Sequence, residues 1–277
     1  MNAHLEPGLY IVATPIGNLG DISPRAVAVL GAAGVVACED TRVTGGLLHH
    51  LGLKRPMTPY HDHNADQVRP GLVARMGAEV VALVSDAGTP LISDPGYKLV
   101  RDAREAGHRV VSVPGACAAV AALTLAGLPT DRFLFLGFLP AKAQAKAAAI
   151  AEVAGVRASL ILYESAARLG ATLAALAEGL GERDAAVTRE ITKRFEECVT
   201  GTLPELAARY ADAPPKGEIV IVVGPPGAPP PPSEEDADAL LAEALTRLPA
   251  AKAAGEVAKR LGLDRRQLYA RALALKP

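Results

Sequence analysis

Short apolar runs recur through the first part of the chain, and each is followed by a segment with helical spacing. These five runs are GLYIVAT (8–14), VVACE (35–39), MTPYH (57–61), EVVALVS (79–85) and HRVVSVP (108–114). An apolar run of this length between turn residues is typical of a buried strand. Regular alternation of such strands with helices favours a parallel sheet that is covered by helices on both faces.

The segments between the runs carry helix start and stop signals. Ser23 followed by Pro24 fits an N-cap with proline at the first helical position of SPRAVAVLGAAG. TRVTGGLLHHLG and NADQVRPGLVARMG also have helical spacing, and DPGYKLVRDAREAG ends in Gly107. We predict that Asp94 is the N-cap of this last helix.

The pattern changes after Gly115. GACAAVAALTLAGLP predicts an apolar helix, and TDRFLFLGFLP predicts a strand that begins a second sheet. Further strands are expected in ASLILYES, AAVTREI, FEECVTGT and GEIVIVVG, with helices in AARLGATLAALAEGLG and LPELAARY. Because AAVTREI and FEECVTGT follow one another without a helix, this second sheet is expected to be mixed.

The proline-rich segment GPPGAPPPPSEED (224–236) separates this core from a C-terminal tail. The tail predicts about three short helices, with Gly262, Leu263 and Asp264 as the turn of a helix-turn-helix. A length of 277 residues favours more than one domain. The expected division is residues 1–115 and 116–224 as two α/β domains, 225–235 as linker and 236–277 as helical module.

Charge is sorted along the tail, although the whole chain has a formal net charge of only -1. Residues 234–243 carry five carboxylates and no basic side chain, whereas residues 247–276 carry eight basic and two acidic side chains. The basic part is a candidate phosphate-binding surface formed by Lys259, Arg260, Arg265, Arg266 and Arg271. A helical appendage with a solvated face is the alternative.

Cysteine usage and hydropathy indicate a compartment. Cys38, Cys117 and Cys198 are far apart and lack zinc-type spacing, which favours a reducing environment and a cytoplasmic protein. We find no signal-peptide pattern at the N-terminus and no apolar run long enough to cross a membrane, so no membrane partner is expected. His61 and His63 would point to opposite faces of a strand end, so no metal site is expected.

Polar segments follow all five predicted strands: PIGNLGD, EDTR, HDHN, SDAGTPLISD and PGACA. The carboxyl ends of parallel strands meet at one edge of a sheet, where ligands bind in open α/β folds. The sequence therefore predicts one large cleft lined by backbone amides, short hydroxyls and a few charges. Gly17, Gly20 and Glu39 match only part of the dinucleotide fingerprint, which leaves a nicotinamide oxidoreductase as a distant alternative.

Several motifs, taken in order, resemble the tetrapyrrole (corrin/porphyrin) methylases, and among them the methyltransferases of small-subunit ribosomal RNA. They are YIVATPIGNLGDISPRAVAVL, CEDTRVTGGLL, YHDHN, LVSDAGTPLISDPG, GLPTDRFLFLGFLP, YES and REITKRFEE. The resemblance implies a homodimer with an α/β fold of the tetrapyrrole methylase type. It also implies 2′-O-methylation of a cytidine in the decoding centre of 16S ribosomal RNA, with S-adenosylmethionine as cofactor and the RNA or the small ribosomal subunit as partner.

The chain departs from the pattern of its relatives in three segments. PGACA stands where PGPSA is common, and YESAAR stands where YESPHR is common. The basic run after GFLP is reduced to Lys142 and Lys146, which weakens one candidate RNA contact.

The resemblance also implies where the cofactor binds. Thr89 and Ser93 would offer hydroxyls, and Asp86 or Asp94 would complement the positive charge of the cofactor. The amides of PGACA would receive the methionine carboxylate. The candidate cofactor-binding residues are Pro15, Asp86, Gly88, Thr89, Pro90, Ile92, Ser93, Pro114, Gly115, Ala116, Tyr163 and Glu164.

Methyl transfer to a hydroxyl calls for a proton acceptor, and the candidate catalytic residues are Glu39, Asp40 and His61. A salt-bridge and capping cluster of Glu39, Asp40 and Arg42 is the alternative. The candidate RNA-binding residues are Arg42, Asn64, Arg189, Lys193, Arg194, Arg265 and Arg266. For REITKRFEE, a solvated strand of mixed charge is the alternative, with Glu190, Glu196 and Glu197 as partners.

Two other functions fit the same residues. One is a small-molecule methyltransferase of the tetrapyrrole or diphthamide type. The other is a non-catalytic RNA-binding or assembly factor that no longer binds the cofactor.

Overall fold

The computed structural model describes residues 5–94, 96–212, 214–227 and 234–275. The chain divides into two compact units, Met1–Pro226 and Gly227–Pro277. The first unit contains two sheets and the second contains helices. The domain boundaries expected at residues 115, 224 and 235 stay predictions, and most of the expected linker lies outside the described residues.

The first sheet is parallel, as the sequence predicts. Its five strands are β1 (Gly8–Val12), β2 (Val35–Cys38), β3 (Met57–Pro59), β4 (Val80–Val84) and β5 (Val110–Val113). They are arranged in the order β3-β2-β4-β1-β5, and all four neighbouring pairs run parallel. β2 and β4 are buried along their whole length, which explains their uninterrupted apolar sequences.

Helices cover both faces of this sheet. They are α1 (Pro24–Ala32), α2 (Thr41–His50), α3 (Ala65–Arg75) and α4 (Tyr97–Glu105). Successive residues of β4, such as Ala82 and Leu83, belong to different hydrophobic clusters because they point to opposite faces. Ser23 caps α1 as predicted, since its Oγ accepts a hydrogen bond from the amide of Ala26 at 3.0 Å.

The cap predicted for α4 is wrong. Gly96 occupies the N-cap position with φ of 142°, and no side chain caps the helix. A backbone angle in this region favours glycine, and Asp94 lies two residues earlier. The side chain of Asp94 is therefore available for another role.

The second sheet is mixed, as expected. It follows α5 (Ala118–Leu125) and has the order β6-β7-β10-β8-β9. Only β6 and β7 pair in parallel, and the other three pairs are antiparallel. The strands are β6 (Phe133–Phe138), β7 (Ser159–Ser165), β8 (Asp184–Arg189), β9 (Glu197–Thr202) and β10 (Glu218–Val223).

Three more helices pack with this sheet: α6 (Ala143–Val153), α7 (Leu169–Leu180) and α8 (Leu203–Arg209). Sequence patterns predict α7 and α8 but do not predict α6. The α6 sequence, AQAKAAAIAEV, is mostly alanine, so it lacks a contrast between polar and apolar faces. Its two largest buried apolar residues, Ile150 and Val153, join the core of this half.

The C-terminal unit consists of α9 (Glu234–Leu245), α10 (Ala250–Leu261) and α11 (Arg265–Ala274) around a core of its own. Gly262 ends α10 in the left-handed conformation, with φ of 70°. Asp264 begins α11, and its Oδ1 accepts hydrogen bonds from the amides of Arg266 at 2.7 Å and Gln267 at 3.0 Å. The two helices and the turn at residues 262–264 therefore lie where the sequence predicts them.

Within the described ranges, no helix is both long enough and apolar enough to span a bilayer. The same residues contain no group of three or more His, Cys, Asp and Glu side chains that is arranged to hold a metal ion.

Candidate active site

Backbone hydrogen bonds join the loops that follow β1 and β4. The amide of Thr14 donates to the carbonyl of Gly88 at 2.8 Å, and the amide of Gly88 donates back to Thr14 at 3.1 Å. Gly88 has φ of +79°, and a Cβ there would lie 3.2 Å from Ile16 Cγ2. The loop after β5 joins them, because Thr89 Oγ1 donates to the carbonyl of Ala116 at 2.9 Å. The loops therefore converge at one edge of the sheet, as predicted.

A cavity of about 460 Å³ opens at this edge. The second sheet forms its other wall through residues 163–166 at the end of β7 and residues 217–220 at the start of β10. A volume of this size is in the range of small-molecule sites, roughly 300–1,000 Å³. Most of the exposed lining is apolar, and a few carboxylates and hydroxyls stand among it.

The structure brings seven of the twelve candidate cofactor-binding residues to this cavity. They are Asp86, Gly88, Thr89, Ile92, Ser93, Tyr163 and Glu164. Pro15, Pro90, Pro114, Gly115 and Ala116 lie outside the lining.

Three of the five residues outside the lining have other contacts or positions. Pro90 is buried within the loop, and Gly115 packs so closely on Ala13 that a Cβ would lie 2.9 Å from its side chain. The carbonyl of Ala116 is occupied by Thr89. From the PGACA segment, Cys117 and Ala118 line the cavity instead.

Several lining residues are absent from the sequence prediction, among them Ile16, Phe138 and Ile191. They are ordinary apolar residues whose position depends on how the two sheets pack, and the sequence has no local signal for that. Asp94 also lines the cavity. The sequence offers two roles for it, a partner of the cofactor charge and a helix cap, and the structure does not place it at the cap position.

The loop after β4 has a strained backbone. Leu91 and Ser93 adopt left-handed conformations with φ of 75° and 65°. Such conformations cost about 1–3 kcal/mol each for residues other than glycine, and they persist where surrounding structure enforces them. Gly137 in β6 allows the close approach, since a Cβ there would lie 3.1 Å from Ser93 Oγ. The loop is therefore held in place against the second sheet.

Negative charge accumulates on one side of the cavity. Burial, together with the charges of Glu39 and Asp86, raises the pKa of Asp94 to about 6. Burial and the charge of Asp86 also raise the pKa of Glu39. A carboxylate whose ionised form is disfavoured gains from a nearby cation, so this side of the cavity favours a positively charged ligand.

An aromatic group forms the opposite wall. Tyr163 packs edge-on against Phe135 and Phe138, with ring centroids 4.9 Å and 5.7 Å away. Its hydroxyl accepts a hydrogen bond from the amide of Ala119 at 3.3 Å, in the first turn of α5. Burial raises the pKa of Tyr163 to about 12, so the phenol stays neutral.

Asp40 has the properties of a helix cap. Its Oδ1 accepts a hydrogen bond from the amide of Arg42 at 2.8 Å, and its Oδ2 lies 2.6 Å from Arg42 Nη2. These hydrogen bonds lower the pKa of Asp40 to about 2. The backbone amide of Asp40 in turn donates to Asp86 Oδ1 at 3.1 Å. The geometry favours the salt-bridge and capping alternative for Asp40.

Asn64 holds the turn after β3. Its Oδ1 accepts from the amide of His61 at 2.9 Å, and its Nδ2 donates to the carbonyl of Pro59 at 2.9 Å. His61 Nδ1 is buried, and it has no hydrogen-bond partner among the described residues.

The six basic residues among the RNA-binding candidates fall into two groups. Arg189 pairs with Glu197 at 3.1 Å, and Lys193 pairs with Glu190 at 3.0 Å and with Glu218 at 2.8 Å. This mixed-charge arrangement matches the alternative given for REITKRFEE. The other four, Arg42, Arg194, Arg265 and Arg266, are exposed, and Arg42 also pairs with Asp40.

The chain matches the tetrapyrrole (corrin/porphyrin) methylases over residues 8–207 and the RsmI C-terminal HTH domain over residues 231–276. Ribosomal RNA small subunit methyltransferase I from Erythrobacter litoralis is 56% identical, covering 98% of this chain and 96% of that protein. The same enzyme from Mesorhizobium japonicum is 53% identical, with 98% and 93% covered.

Among solved structures, uroporphyrin-III C-methyltransferase from Thermus thermophilus in complex with S-adenosylhomocysteine has a TM-score of 0.53 at 21% identity. The match covers 78% of this chain and 97% of that one, and it shows a shared fold. Taken with the extensive sequence matches, these findings establish that the chain belongs to the ribosomal RNA small subunit methyltransferase I family of the tetrapyrrole methylases.

Proposed function

We propose that the chain binds S-adenosylmethionine in the cavity between its two sheets and methylates the 2′-hydroxyl of a cytidine in 16S ribosomal RNA. The observation that carries this proposal is the cavity itself, with its negatively charged side, in a chain that is 56% identical to a named ribosomal RNA methyltransferase. A homodimer, a cytoplasmic location and the small ribosomal subunit as partner belong to the same proposal, on the strength of the family.

The residues of the cavity fit the cofactor. Asp86 and Asp94 would complement the ammonium and sulfonium charges, which relieves the repulsion that raises the pKa of Asp94. α5 begins without a side-chain cap, and the amide of Ala119 in its first turn donates to the Tyr163 hydroxyl. The amide of Ala118, a residue that lines the cavity, is the candidate donor to the methionine carboxylate. The apolar wall around Tyr163, Ile219 and Val220 suits the adenine ring.

Bound S-adenosylmethionine supplies an activated methyl group. The protein has to hold the ribose oxygen in line with that methyl, so that the oxygen–carbon bond forms as the carbon–sulfur bond breaks. Glu39 is the proposed acceptor of the hydroxyl proton, because its raised pKa brings it closer to the working pH than Asp40. Asp40 then serves to position α2 and Arg42.

Exposed arginines are the proposed RNA contacts. The Arg42 side chain is 89% exposed beside the cavity loops, although one face of it pairs with Asp40. Arg194 follows β8 in the turn that includes the lining residue Ile191, and Arg265 and Arg266 begin α11 in the C-terminal unit. Such contacts would act on phosphates and position the RNA without specifying its sequence.

The test is to incubate the purified protein with S-adenosylmethionine labelled in its methyl group, together with small ribosomal subunits or protein-free 16S ribosomal RNA. We expect label at one cytidine, mapped as a 2′-O-methyl group by its resistance to alkaline hydrolysis. Label on the base instead of the ribose would overturn the proposed site of transfer. Absence of calorimetric binding to S-adenosylmethionine would instead favour a non-catalytic RNA-binding factor.

A further inference from the structure

Lys146 is buried, although the sequence marks it as part of a basic surface run. Its side chain is buried in the part of the molecule that contains the second sheet, and only 7% of the residue is exposed. Nζ donates a hydrogen bond to Thr172 Oγ1 on α7 at 3.0 Å. A buried ammonium group at this position therefore makes its contacts within the protein and cannot bind RNA.

Thr172 passes this interaction on to a carboxylate. Its hydroxyl donates to Glu164 Oε2 at 2.6 Å, and both residues are almost fully buried. Lys146, Thr172 and Glu164 thus form a chain in which the hydroxyl accepts from a cation and donates to an anion.

The other oxygen of Glu164 is also used inside the protein. Oε1 accepts a hydrogen bond from the amide of Ser165 at 2.8 Å, and it lies 3.3 Å from Arg168 Nε. Arg168 in turn donates to the carbonyl of Leu139 at 2.6 Å. The carboxylate is therefore held by Arg168 directly and by Lys146 through Thr172, and it fixes the backbone directly after it.

That backbone is a wall of the cavity, which Ser165 and Ala166 both line. We propose that Lys146 and Thr172 are positioning residues for the cofactor, acting through Glu164 on the turn at residues 164–166. Lys146 lies on α6 and Thr172 lies on α7. The position of this turn therefore depends on two helices that lie outside the cavity lining. This inference rests on the proposed function, because it assumes that the cavity holds S-adenosylmethionine.

Removal of Lys146 would leave Glu164 buried with less compensation, which drives the carboxylate toward solvent or the cavity. Either movement breaks the bond to the Ser165 amide and shifts the wall. The effect should therefore appear in cofactor affinity first. Transfer of the methyl group, once the cofactor is bound, depends on other residues.

The test compares Lys146→Met and Thr172→Val with the wild-type protein. Both substitutions keep the approximate volume and remove the charge or the hydroxyl. Thr172→Ser keeps the hydroxyl and should restore the interaction. Leu173→Ala is the matched control, because Leu173 is the neighbouring residue of α7 and is fully buried in the apolar core. Calorimetry with S-adenosylhomocysteine gives the affinity, and steady-state assays give KM for S-adenosylmethionine and kcat.

We expect Lys146→Met and Thr172→Val to raise Kd and KM about tenfold, which corresponds to about 1.4 kcal/mol, with kcat at saturating cofactor within about twofold. Thr172→Ser should stay within about twofold of the wild type in Kd, and so should Leu173→Ala despite its lower melting temperature. Unchanged affinity in Thr172→Val overturns the inference, as does an equal loss in Leu173→Ala. If the wild-type protein itself fails to bind S-adenosylhomocysteine, that result contradicts the proposed function and therefore also this inference.

Discussion

The aliphatic stem of Lys193 lies against Gly17, with Cγ 2.5 Å from the position that a Cβ on Gly17 would occupy. Gly17 follows β1 in the first sheet, and Lys193 follows β8 in the second. The ammonium of Lys193 is occupied by Glu190 and Glu218. This basic residue therefore links the two walls of the cavity.

Lys193→Ala and Arg194→Ala should separate structural from RNA-binding cations. Loss of Arg194 removes an exposed charge, so RNA affinity falls and the slope of log K against log salt decreases by about one. Loss of Lys193 should lower the melting temperature and leave this slope unchanged. Filter binding across a salt series and thermal unfolding measure the two effects. A slope that changes in Lys193→Ala would contradict the assignment.

Gly88→Ala should weaken cofactor binding. The left-handed backbone at this position costs alanine about 1–2 kcal/mol, and the new methyl group would press on Ile16. The matched control is Gly155→Ala, in an exposed turn with nothing within 4 Å of the added carbon. Isothermal calorimetry should show reduced affinity for S-adenosylmethionine in Gly88→Ala alone. Equal affinities in the two variants would argue against a role for this loop.

Asp94→Asn should stabilise the protein at neutral pH and not in acid. The folded-state pKa of Asp94, about 6, lies above its ordinary value of 3.8, so the folded protein retains the proton more strongly than the unfolded chain. Stability of the wild-type protein therefore decreases as pH rises from about 4 to about 6, and asparagine removes that decrease.

Melting temperatures of wild type and Asp94→Asn, measured from pH 4 to pH 8, check this expectation. The difference should be small at pH 4, grow through pH 6 and level off above it. A difference that is independent of pH would show that Asp94 ionises as an ordinary exposed aspartate does.

Glu39→Gln should lower the rate of methyl transfer, whereas Asp40→Asn should lower the stability of the protein. If Glu39 accepts the proton, its glutamine variant should lose about 100-fold or more in single-turnover methyl transfer, with cofactor affinity little changed. Asp40→Asn should chiefly lower the melting temperature, because asparagine still caps α2 but cannot pair with Arg42. Rapid-quench assays at saturating cofactor make the comparison. Wild-type rates in both variants would remove both residues from proton transfer.

The strands and their parallel arrangement are predictable from the sequence, because each is a short apolar run bounded by turn residues. The convergence of the polar loops follows from that arrangement. The burial of Lys146 is not predictable in the same way, since its partners Thr172 and Glu164 lie on other elements and only packing joins them. The same holds for Asp94, whose environment is created by burial, by Glu39 from the loop after β2 and by Asp86 from its own loop.

The paired hydrogen bonds between Thr14 and Gly88 involve only main-chain atoms. This main-chain pair can form with another residue at position 14, although Thr14 Oγ1 adds hydrogen bonds to the carbonyls of Ser85 at 3.3 Å and Gly88 at 3.4 Å. Substitutions elsewhere in these loops can therefore change which ligand the cavity binds without breaking the main-chain hydrogen bonds that join the loops. This makes the edge of the sheet a favourable starting point for engineering acceptance of modified sulfonium donors.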